Sequence, residues 1–263
     1  MNFKQLLTVG ALTAILGSQA AMAGAITATY LGSAQLGTGS GVGYETGWVT
    51  PGPGSTLTNP VSKNVSIGGN SFSATPDGNF GLPAGKFDAW CVDVYHWLAN
   101  PSGFTVSQPS ELATSLNTSR PGMPTGGTRV ADLNQLANAY YDTVNTRTES
   151  AAFQLAVWAI TYGANDGSGY KLNTANSGFK VDNGTDVSAW GVQADAWLAG
   201  FSTAAKTSNY SMIYLSDASP LQNKTQDMLV FVKQPASRVP EPGSLALVGI
   251  SILAAALARR RRA

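Results

Sequence analysis

A single cysteine, Cys91, and a single histidine, His96, are all that 263 residues contain of the two side chains that do most metal binding and nucleophilic catalysis. One thiol excludes an internal disulfide. One Cys with one His excludes the usual Cys/His quartet of structural zinc, and neither C-x-x-C nor H-x-x-x-H spacing occurs. Charge is equally sparse. Only 12% of residues are charged, and 16 Lys and Arg against 15 Asp and Glu leave a net +1, so no basic face is expected for nucleic acid. The carboxylates nearest the cysteine, Asp88 and Asp93, do not complete a metal shell. The oxygen-rich loop at 163–169 lacks the alternating Asp and distal Glu of a calcium loop and reads as a turn. No metal and no cofactor is expected. No internal repeat is visible, which argues against solenoid arrays.

What the chain does have is clearest at its two ends. Residues 1–23 carry Lys4, an apolar run at 6–16 and Ala21-Met22-Ala23, the pattern of a secretory signal peptide. The run is too short to span a bilayer. At the other end Val239-Pro240-Glu241-Pro242-Gly243 leads into an apolar segment at 244–258 and then four arginines, 259–262. Arginines flanking an apolar helix mark its cytoplasmic side. This terminus resembles the PEP-CTERM sorting signal of Gram-negative bacteria, which is read by a membrane protease-transpeptidase, exosortase. The resemblance implies a sorting motif at Pro240, Glu241 and Pro242, and a single membrane helix that holds the chain transiently in the inner membrane. Exosortase is then the processing partner, with delivery to the cell surface or extracellular matrix. The alternative is a permanent single-span anchor, with Pro240 and Pro242 ending the structure before it. The organisation is therefore a signal peptide at 1–23, an extracellular domain at 24–236 and a sorting signal at 237–263.

Within the domain, residues 25–31 alternate and are rich in β-formers, which predicts a first strand. The Gly/Thr/Ser/Pro stretch at 32–54 reads as loop. Residues 64–67 and 72–74 around Gly68-Gly69-Asn70 predict a hairpin, and the apolar run at 87–95 predicts a buried strand. Helical spacing follows at 131–141, at 148–163 with Thr148 as N-cap and Gly163 as stop, and at 187–201. Strands return at 211–215 and 228–233. Strands, then helices, then strands give an α+β fold: an antiparallel β-sandwich or barrel-like sheet with an inserted helical subdomain. The first and last strands are expected to pair within one domain.

Three chemistries are open to Cys91. A cysteine hydrolase needs a base within hydrogen-bond reach, and His96, five positions on in an expected strand, would face the opposite way. A lone cysteine is also often an inert small hydrophobe. The third is a cross-link: a thiol that attacks a glutamine carbonyl and expels ammonia leaves a thioester, stable only where water is excluded. Gln154, on the expected helix with Trp158 one turn on, has the rigid support such chemistry needs.

Trp90-Cys91-Val92-Asp93, followed about sixty residues later by Phe153-Gln154-Leu155-Ala156-Val157-Trp158, resembles the thioester domains of Gram-positive surface adhesins. The resemblance implies a Cys91–Gln154 thioester supported by Trp90, Asp93 and Trp158. It also implies covalent capture of a nucleophile, such as an amine, on a target surface the sequence does not name. That is single-use binding, not turnover, so no enzyme activity is expected. Asp93 or His96 is the candidate to assist proton transfer to or from the incoming amine. The competing reading is a non-covalent matrix or carbohydrate-binding protein that uses Trp48, Trp190 and Trp197 and keeps Cys91 structural.

Overall fold

Apolar alternation in the first strand builds the first wall of the core. In a computed structural model, β1 (Gly24–Ser33) turns Ile26 and Ala28 inward while Ala25, Thr27 and Thr29 face out, the period of two that a half-buried strand requires. The structure describes residues 24–36, 41–51, 63–94, 96–116, 124–163, 165, 169–172, 179–182, 189–217 and 225–235. The expected signal peptide at 1–23, the sorting motif and the apolar segment at 244–258 lie outside them. Among the described residues no helix is long and apolar enough to cross a membrane.

Six strands close into an antiparallel barrel. These are β1, β4 (Asn70–Thr75), β5 (Lys86–Cys91), β9 (Met228–Lys233), β8 (Tyr210–Asp217) and β6 (Ser102–Ser107), in that order around the wall. A second sheet of three strands has β2 (Glu45–Pro51) between β3 (Lys63–Ile67) and β7 (Phe179–Asp182). Four helices, α1 (Pro109–Leu116), α2 (Gly126–Tyr140), α3 (Arg147–Tyr162) and α4 (Ala189–Gly200), fall between β6 and β8 in the chain. The antiparallel barrel-like sheet and the helical insertion match the expectation. The first and last strands share the barrel but are not neighbours: β1 pairs with β4 and β6, whereas β9 pairs with β5 and β8.

The expected hairpin at 64–74 is not one. Its two halves, β3 and β4, belong to different sheets. The cause is the Gly68-Gly69 link. Gly68 takes a φ of 153°, and a Cβ on Gly69 would lie 2.9 Å from the Trp90 ring, so only glycine lets the chain pass this close to β5. The Gly69 N–H donates to Ser150 Oγ on α3 at 3.0 Å, and its carbonyl accepts from Ala34 N–H at 2.8 Å. The turn is thus pinned from both sides.

Helix α3 is the hub. Ser150 to Thr161 are all buried, the all-round burial of a helix enclosed by protein. It touches the barrel through β5, the small sheet through β2, β3 and β7, and both α2 and α4. Its start is one capping unit earlier than expected: Thr146, not Thr148, is the N-cap. The Thr146 hydroxyl accepts from Glu149 N–H at 3.2 Å while Glu149 Oε2 accepts from Thr146 N–H at 2.9 Å. This reciprocal box satisfies two otherwise orphaned donors. Replacing Thr146 with alanine is expected to cost about 1 kcal/mol, read as a lower urea midpoint at unchanged slope.

Candidate functional site

Strand β5 ends at Cys91, shorter than the expected strand to residue 95. Beyond it the chain turns irregular, with Val92 N–H donating to Asp227 O at 3.0 Å and Val94 N–H to Tyr162 Oη at 3.2 Å. His96 therefore escapes the strand alternation that would have set it opposite the cysteine. Both residues line one cavity of about 230 Å³, together with Tyr44, Asn70, Trp158 and Gln226.

Gln154 does meet Cys91, at its peptide groups. Its Nε2 donates to Cys91 O at 2.8 Å and its Oε1 accepts from Cys91 N–H at 3.0 Å. The β4–β5 ladder ends at Ala89, so the fully buried side-chain amide acts as a substitute strand partner for the last residue of β5. Both of its polar atoms are committed there.

The glutamine at the thiol is Gln226. Cys91 Sγ donates to Gln226 Oε1 at 2.9 Å. The strand register explains the encounter. Cys91 pairs with Met228, and Gln226, two residues before Met228, continues on the same face as its paired neighbours. Flanking bonds hold the segment: Asp227 accepts from Tyr214 Oη and Asp217 N–H at 2.7 Å each, and Thr225 Oγ1 accepts from Ala99 N–H at 2.9 Å. No periodicity in T-Q-D-M-L-V singles this residue out. The usable signal was its place just ahead of the last strand, had the β5–β9 pairing been known.

On the other side of the sulfur, Asn70 Nδ2 donates to Sγ at 3.4 Å. Tyr44 Oη donates in turn to Asn70 Oδ1 at 2.6 Å and meets Tyr30 Oη at 2.8 Å. Burial pushes the Cys91 thiol up to about 12, the Asp93 charge adds to the rise, and the Asn70 hydrogen bond opposes it. The sulfur is thus held as a neutral thiol, because a buried thiolate would lack solvation.

The expected supporting residues divide. Trp158, 1% exposed, forms a cavity wall and packs on Phe179 at 5.8 Å between ring centroids. Asp93 contacts His96 Nδ1. Trp90 points away from the cavity into the core, against Phe153 at 4.7 Å, with its Nε1 donating to Tyr141 Oη; adjacent strand residues face opposite ways. It does not line the cavity that holds the thiol. Of the tryptophans considered for sugar stacking, Trp190 and Trp197 are buried on α4 and only Trp48 is exposed. Among the described residues no group of three or more His, Cys, Asp or Glu converges on a point where a metal ion could sit.

Comparison with known proteins bears on the terminus. Residues 238–262 match the PEP-CTERM protein-sorting motif. The PEP-CTERM signal implies export, exosortase processing at the membrane and delivery to the surface, with Pro240, Glu241 and Pro242 inside the matched segment. No curated protein sequence matches the chain. Among solved structures, the N-terminal domain of the Streptococcus pyogenes pilus tip adhesin Cpa is similar at 12% identity and a TM-score of 0.41, covering 72% of this chain and 93% of that one.

Proposed function

We propose that the exported domain captures a target covalently through an internal thioester, with Cys91 as the thiol and Gln226 as the acyl donor. The observation that carries this reading is the 2.9 Å contact from Cys91 Sγ to Gln226 Oε1 inside a walled cavity. The sulfur adds to the side-chain carbonyl carbon of Gln226, the C–N bond breaks, and the nitrogen leaves as ammonia with the thiol proton. A target nucleophile later adds to the same carbon and the C–S bond breaks. Sulfur takes up the nucleophile's proton, leaving the target joined to residue 226. Each molecule acts once.

A thiol held in this site gains nothing from ionising, while a thioester carries no charge to desolvate. Gln154 serves as the clamp that fixes the Cys91 backbone, and Asn70 restrains the sulfur. Release or re-anchoring by exosortase would place this single-use group at the cell surface.

Intact mass tests the reading. The folded protein should be lighter than its processed sequence by one ammonia, and Cys91→Ala or Gln226→Ala should each restore the full mass. Proteolytic mapping should join the peptides holding residues 91 and 226. A join to the peptide holding residue 154 would move the acyl donor to Gln154. A wild-type protein at full mass, with a thiol that titrates on unfolding, would sink the thioester altogether.

A further inference from the structure

The cavity walls contain no Asp, Glu, Lys or Arg among the described residues. An amine arrives at neutral pH mostly as an ammonium ion, and a wall without carboxylates offers that charge no direct counterion. A hydroxyl enters without that penalty. It is, however, a weak nucleophile and needs a base to take its proton.

His96 meets that need. Its Nδ1 is held by Asp93 Oδ2, a carboxylate that is not itself part of the cavity wall. With Asp93 accepting from Nδ1–H, Nε2 is the atom that carries the lone pair in the neutral ring. Trp158 supplies a complementary feature. Its indole Nε1–H is buried with no hydrogen-bond partner among the described residues, although the ring forms part of the wall beside Cys91 and Gln226. A buried donor without a partner is costly, and an oxyanion forming on the acyl carbon would satisfy it. At the rim, Trp97 is 77% exposed and lines the same cavity. A flat apolar ring at the mouth suits the C–H face of a pyranose.

We infer that the site is built to capture a saccharide hydroxyl, with His96 as the general base, Asp93 as its positioning residue, Trp158 Nε1–H as the oxyanion donor and Trp97 as the stacking surface. The inference rests on the thioester reading above. The hydroxyl oxygen adds to the acyl carbon as its proton passes to His96 Nε2, and the negative charge on the carbonyl oxygen meets the Trp158 N–H. When the C–S bond breaks, His96 returns the proton to Cys91 sulfur. An ester and a free thiol result, with atoms and charge balanced.

The test uses the purified protein with methyl α-glucopyranoside and with methylamine, followed by intact mass. Wild type should gain one glucoside with appearance of one thiol. His96→Gln should still lack one ammonia, yet capture glucoside at least about tenfold more slowly, the low end of what general-base assistance contributes. Its reaction with methylamine, supplied as free base at alkaline pH, should change little, and added imidazole should restore glucoside capture. Trp158→Phe, which keeps the wall but removes the N–H, should slow both reactions by about tenfold or more. Glucoside capture by His96→Gln at the wild-type rate, or a wild-type protein that takes methylamine and never the glucoside, overturns this inference alone. A wild-type protein that has lost no ammonia overturns the thioester and this inference with it.

Discussion

Replacing Gln226 with alanine is expected to lower the free energy of unfolding by up to about 5 kcal/mol, by analogy with the loop-closure contribution of a disulfide. The partners are 135 residues apart, and cross-links that close long loops remove the most entropy from the unfolded chain. The segment also joins strands that do not follow one another in sequence, so the unfolded chain has no local contact to replace it. Gln226→Glu separates cross-linking from packing: it keeps the volume but cannot expel ammonia. Both variants should therefore have urea midpoints well below that of the wild type, and both should keep the sequence mass. Equal midpoints for all three proteins, in a wild type that lacks one ammonia, would show that the bond does not restrain the unfolded chain.

How much of this was legible in the sequence depended on whether a feature was local. The strand at 25–31, the final strand and the cores of α2, α3 and α4 are written in periodicity, which needs no partner to be read. Features set by tertiary context were not visible. Strand β2 hides in a Gly/Pro-rich stretch because its strand character comes from pairing with β3 and β7. Strand β6, S-G-F-T-V-S, is short and holds a glycine, yet it fills the barrel seam between β1 and β8. At the site, the sequence led to Cys91 and to the helix that carries Gln154 and Trp158, both of which the fold brings together. It did not lead to Gln226, whose significance arises only when β9 pairs with β5. It also set His96 on the wrong face, because strand alternation was extended past Cys91, where the chain leaves the ladder.

The roles of the two glutamines separate most clearly in Gln154→Leu. Leucine is close in volume and has no polar atoms, so the substitution removes both hydrogen bonds to Cys91 without opening a large cavity. The Cys91 N–H and C=O then stay buried without the partners they now have. Each such group costs roughly 1–3 kcal/mol, so a loss of about 2–6 kcal/mol is expected, read from chemical denaturation. This loss has a different origin from that of Gln226→Ala, and the mass record should show it. Gln154→Leu molecules that fold retain Cys91 and Gln226, so the fraction lacking ammonia should fall without vanishing, and any cross-linked peptide should still hold residue 226. If Gln154→Leu keeps the wild-type midpoint, the amide is not the partner that completes the β5 edge. If the ammonia loss disappears while the fold persists, Gln154 is more than a clamp, and the acyl donor must be sought on α3.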